Sequence, residues 1–157
     1  MEEIKKILAV SWITEYCQAT VHAAISLAAK YDAELSVIHV IDTQLLQGWN
    51  LPFKFHEEEH KKELERIQSE INSFVNREKK EGMKVKTIIK EGEPVKEILH
   101  IVEKEKIDLV VLRAHEESRI EQFMVGSSND EIIRKMPCSI FLVKGKPKIK
   151  TARNNKK

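Results

Sequence analysis

Asp108-Leu109-Val110-Val111-Leu112 is the stretch on which the reading of this chain turns. It is short and apolar at consecutive positions rather than alternate ones, so it predicts a strand buried on both faces, as in a parallel sheet. Before it, Gly92-Glu93-Pro94 forms a turn with proline placed to open a helix. Val95, Ile98, Leu99 and Val102 then recur at the spacing of one helix face. After it, a helix carrying Ile132, Ile133 and Met136 ends at Pro137, and Ser139-Ile140-Phe141-Leu142-Val143 is the next strand. Strands separated by helices require crossovers, which place helices on both faces of a parallel sheet.

The same alternation extends back to the start of the chain. Ile4 to Ser11 reads as a first strand, and Thr14 can cap a helix with Val21, Ala24, Ile25 and Ala28 on its buried face. Leu35 to Ile41 is a second strand, followed by a long polar connection around Gly48, Asn50 and Pro52. A long helix is predicted from about Phe55 to Glu81, ended by Gly82, with Leu64, Ile67, Ile71 and Phe74 as its apolar stripe. Val85 to Ile89 is the third strand. In an open sheet of this kind ligands sit at the carboxyl ends of the strands where the order reverses. The loops after the first, second and fourth strands are therefore the places to search.

Composition bounds the function classes. The 157 residues are 41% apolar and 33% charged with 5 Gly and 4 Pro, which excludes a disordered or collagen-like chain and suits one domain with its own core. No apolar run approaches the ~20 residues of a membrane helix, and Met1 to Lys6 lacks the apolar region of a signal peptide. A cytoplasmic location is the expectation. Cys17 and Cys138 lie far apart and match no metal spacing, so reduced thiols are expected. Charge divides the chain: Lys144 to Lys157 holds seven Lys/Arg and no acid, leaving the rest near −5 against +2 for the whole. The organisation read from this is a domain over 1–144 and a basic, disordered tail over 145–157. The tail has no aromatic residue on which a base can stack, which argues against nucleic acid as the partner.

The residues also resemble a known family, the universal stress proteins. The resemblance spans Lys6 to Val143 and lies in the order and spacing of several pieces. These are Lys6-Ile7-Leu8, Ile38-His39-Val40-Ile41-Asp42, Gly92-Glu93-Pro94, Asp108-Leu109-Val110-Val111, His115, Gly126-Ser127 and Pro137-Cys138-Ser139-Ile140-Phe141-Leu142-Val143. It implies a Rossmann-like, adenine nucleotide alpha-hydrolase-like fold, with a five-stranded parallel sheet of order 3-2-1-4-5. It also implies a homodimer that acts in stress response or regulation rather than as a defined enzyme.

Many members of that family bind ATP through Gly-x-x-Gly, nine residues, then Gly-Ser or Gly-Thr. Glycines there let backbone amides approach phosphate, and a helix N-terminus adds positive potential. Here Arg113 and Glu116 stand at the two glycine positions, and the closing pair survives as Gly126-Ser127. A side chain at each lost glycine obstructs the backbone approach, and Glu116 with Glu117 sets negative charge against phosphate. Trp12 stands where nucleotide-binding members carry an aspartate that resembles a ribose contact, and its side chain accepts no hydrogen bond. The nucleotide-binding remnant is Val40, Leu112, Arg113, Gly126, Ser127 and Ser128. The expectation is no cofactor and impaired or lost ATP binding, the alternative being ATP with Mg held through Arg113, which can itself meet a phosphate. Gly126-Ser127 also reads as a turn and helix cap, with Ser127, Ser128 or Asn129 at the N-cap.

No catalytic constellation emerges. His56-Glu57-Glu58-Glu59-His60 matches the zinc-protease pattern formally, but it lies in a charge run, and Glu63 and Arg66 occupy the later glycine and histidine positions of the extended motif. Ser127 and Ser128 lie outside any nucleophile elbow. His39 falls in an interior strand, and His115 at the carboxyl end of the fourth strand is the better functional candidate. The reading is a non-enzyme without a metal site, working through interaction surfaces and protein partners still to be identified. Its homodimer would form through Ser139, Ile140, Phe141, Leu142 and Val143, because an apolar edge strand is a liability unless covered.

Overall fold

Strands and helices alternate as the apolar pattern requires. In chain order they are β1 (Lys6–Ser11), α1 (Cys17–Tyr31), β2 (Glu34–Asp42), α2 (Glu57–Glu78), β3 (Val85–Gly92), α3 (Pro94–Glu105), β4 (Leu109–Arg113), α4 (Ser127–Lys135) and β5 (Ser139–Val143). The computed structural model describes residues 3–11, 17–43, 57–114 and 127–144. The Thr14 cap and the basic tail 145–157 lie outside these residues.

All four strand pairings are parallel, and the sheet order is β3-β2-β1-β4-β5. Alternation along each strand sorts the apolar side chains into two layers. Ile7, Ala9, Leu35, Val37, Leu109 and Val111 pack with α1 and α2 on one face. Leu8, Val10, Ile38, Val40, Val110 and Leu112 pack with α3 and α4 on the other. Every residue of β4 is buried, as its consecutive apolar positions require of an interior strand.

Several boundaries differ from the sequence reading for identifiable reasons. α2 stops at Glu78 rather than near Glu81, and Gly82 serves the following turn with φ +81°. Val75 joins Ile67 and Ile71 in the buried stripe of α2. β3 continues to Gly92, because Lys90, Glu91 and Gly92 pair with Val40, Ile41 and Asp42. Gly92 has φ +146°, a backbone conformation that side-chain-bearing residues rarely adopt, so the turn into α3 favours glycine; a Cβ there would also meet the movable Glu97 carboxylate at 3.0 Å. In the nine-residue α4, Ile132 is buried and Ile133 is exposed. A helix this short turns only a narrow stripe to the sheet.

Candidate functional site

The strand order reverses between β1 and β4, so their carboxyl ends, with that of β2, bound the crevice in which this fold holds ligands. Among the described residues four polar side chains are buried: Ser11, Thr20, His39 and Arg113. Three of them sit at or near the carboxyl ends of β1, β2 and β4. The fourth lies in the first turns of α1, the helix entered from β1. Alternation puts Ser11, His39 and Arg113 on the face that carries Ala9, Val37 and Val111, the face covered by α1 and α2. Polar burial in this sheet is thus confined to one end and one side.

His39 pairs in register with Ser11, and its Nδ1–H donates to the Ser11 carbonyl at 2.8 Å. Only the imidazole can donate to a carbonyl, so this bond assigns the proton to Nδ1 and leaves Nε2 an acceptor in the neutral ring. Burial pushes the His39 pKa below the ordinary histidine range, and the bond to Ser11 offsets part of that shift. Thr20 is fully buried, and its hydroxyl Oγ1 has no hydrogen-bond partner among the described residues. Arg113, the last residue of β4, is 3% exposed.

The nucleotide-binding remnant divides between the two faces of the sheet. Val40 and Leu112 lie in the apolar layer with Val10 and Ile132, on the α3 and α4 side. Arg113 follows Leu112 directly and therefore points to the opposite face. Ser127 and Ser128 open α4. Trp12, His115, Glu116 and Gly126 lie outside the described residues. So does His56; its companion His60 pairs through Nε2 with Glu91 Oε1 on β3. Among the described residues no group of three or more His, Cys, Asp or Glu is placed to hold a metal ion. Cys138 is a free, half-buried thiol whose pKa burial pushes up, the nearby Asp108 charge acting in the same direction.

Sequence reasoning missed Thr20. The signal was available: Thr20, Ala24 and Ala28 are four apart, and a hydroxyl in an apolar helix stripe needs an explanation.

At the other end of the interior, β5 is an edge strand with Phe141 42% and Leu142 45% exposed, and no residue from Ser139 to Val143 is charged. The opposite edge, β3, carries Lys86, Lys90 and Glu91. Charge of that kind discourages strand addition.

Fold and crevice together define a small doubly wound α/β protein of the type that places ligands at a topological switch point. The Universal stress protein family profile matches residues 3–144, so the chain belongs to that family. A universal stress protein of Methanocaldococcus jannaschii is 30% identical over 131 residues, which cover 80% of this chain and 72% of that one. The solved structure of MJ0577, from the same organism, superposes with a TM-score of 0.73 at 24% identity, covering 92% of this chain and 99% of that one. A universal stress protein from Archaeoglobus fulgidus, solved in complex with dAMP, has a TM-score of 0.60 at 17% identity, covering 92% and 100% of the two chains.

Proposed function

We propose that this chain is a non-enzymatic, dimeric stress or regulatory protein of the universal stress family in which ATP binding is impaired or lost. One observation carries the reading. At the first glycine position of the phosphate motif stands Arg113, a long cationic side chain buried to 97% where a bare backbone is needed. The two apolar remnants, Val40 and Leu112, are sealed in the core and have a full explanation as packing. Function would then rest on surfaces, the charge-free edge β5 foremost. Antiparallel pairing with β5 of a second copy covers Phe141 and Leu142 and satisfies the open edge.

The dAMP-bound relative from Archaeoglobus fulgidus favours a second reading, a nucleotide-binding switch or weak ATPase that keeps Gly126, Ser127 and Ser128 and uses Arg113 as a phosphate ligand. Native mass spectrometry of fresh protein, with and without Mg-ATP, separates the two. A bare dimer of 18.2 kDa subunits, unchanged by Mg-ATP, is the expected result. One nucleotide per subunit overturns the first reading in favour of the second.

A further inference from the structure

β5 ends the sheet with two neighbouring apolar side chains, Phe141 and Leu142, exposed on opposite faces. The Val143 carbonyl accepts the Ala114 N–H at 2.9 Å, which turns the backbone groups of Val143 towards β4. Alternation then turns the N–H and C=O of Ile140 and Leu142 to the open side. The segment that continues from this edge is Lys144-Gly145-Lys146-Pro147-Lys148-Ile149-Lys150-Thr151. Its residues have the chemistry of a reversal followed by a short outer strand. Gly145 admits the positive φ of a tight turn, and Pro147, without an N–H, is tolerated where a strand begins. Ile149 and Thr151 are β-branched, and Ile149 is the one large apolar residue after Val143.

A reversal over Lys144 to Pro147 sets Lys148 opposite Val143 and fixes the rest of the register. Ile149 then stands opposite Leu142, Lys150 opposite Phe141 and Thr151 opposite Ile140. The outward backbone groups of Leu142 and Ile140 meet those of Ile149 and Thr151. Ile149 covers Leu142 on one face, and on the other Lys150 lays its stem and ammonium against the Phe141 ring. Lys148 and Lys150 leave the new outer edge charged, as Lys86 and Lys90 leave β3. We propose that Lys148 to Thr151 pairs antiparallel with β5 as a sixth strand and competes with a second copy of the chain for that edge. This competition rests on the β5 dimer proposed for the chain, and regulates it. The tail is tethered at Val143, so its docking is independent of protein concentration while dimerisation is not. Both copies must open, so a tail docked in about two molecules of three weakens the dimer about ten-fold.

The test is sedimentation velocity of the full chain over a range of concentrations, with amide hydrogen exchange at the lowest, where monomer prevails. Ile149→Pro combined with Thr151→Pro removes the N–H donors of the outer strand and leaves β5 untouched. This variant should dimerise about ten-fold more tightly than the parent. The Ile140 and Leu142 amides, protected in the dilute parent, should exchange freely in it. Lys148→Gln combined with Lys150→Gln lowers the charge and keeps the donors, and should change the dimer less. Equal dimerisation of parent and proline variant, or unprotected Ile140 and Leu142 amides in the dilute parent, overturns the tail strand and leaves the β5 dimer standing. A glutamine variant that tightens the dimer as much as the proline variant also overturns it, because charge repulsion then explains the effect. Monomers at every concentration in parent and proline variant overturn the β5 dimer, and the competition falls with it.

Discussion

Asp108 holds Lys6 from two sides: its Oδ2 accepts the Lys6 backbone N–H at 2.9 Å, and its own N–H donates to the Lys6 carbonyl at 2.9 Å. The same Oδ2 accepts the Lys5 N–H at 2.9 Å. These bonds join residues about one hundred apart in sequence and set the register in which β1 meets β4, the pair that flanks the crevice at its far end. Asp108→Ala should cost about 2 kcal/mol in urea unfolding, as expected for hydrogen bonds to a charged group. Asp108→Asn, which keeps an acceptor, should recover part of it. An Ala variant as stable as the parent would show that the ladder holds register without this residue.

Phe141→Lys places a charge in the middle of β5, where an exposed apolar side chain now stands. If a second copy pairs along this edge, sedimentation velocity should show monomers for the variant and dimers for the parent. A Lys86→Phe change on the charged opposite edge should leave the parent dimer intact. A Phe141→Lys protein that stays dimeric rules out the β5 interface.

His39 links stability to pH with a definite sign. Its folded pKa lies below the unfolded value because burial opposes the charged ring. The unfolded chain therefore binds the proton more readily, and stability is fully present above the unfolded pKa of roughly 6.5. It falls as pH drops from there through the folded value. The stability of the parent relative to His39→Gln should be constant above about pH 6.5 and fall as the pH drops below it towards the folded value. Parallel curves over that range would show that His39 takes up no proton linked to unfolding.

Arg113→Gly combined with Glu116→Gly restores both small residues of the phosphate motif. If these side chains are what closes the site, the double variant should bind Mg-ATP in native mass spectrometry while the parent does not. Failure to bind would move the cause of the loss to Trp12 or to the shape of the crevice.

Much of this protein was legible in its sequence, because the relevant signals are periodic. Consecutive apolar residues in Leu109 to Leu112 marked a doubly buried strand, and Val95, Ile98 and Val102 marked one helix face. Element ends were read less well, since they depend on pairing partners: Lys90 to Gly92 became strand because β2 runs on beside them. The candidate site was half legible. Arg113 stood out as a charge in a glycine position, but its burial did not follow from its charge, and Thr20 was passed over as one more helical residue.

Alternation and spacing act over a few residues, and within that reach the sequence alone determined the order of elements, the buried face of each helix and the lack of charge in Ser139 to Val143. Tertiary structure decided the rest, because long-range contacts have no local signature. Parallel pairing brought His39 beside Ser11 across two strands, and burial closed over Arg113 at the end of β4. The crossovers put Val40 and Leu112 behind the sheet, and left Phe141 and Leu142 at an edge that no element of the described fold covers.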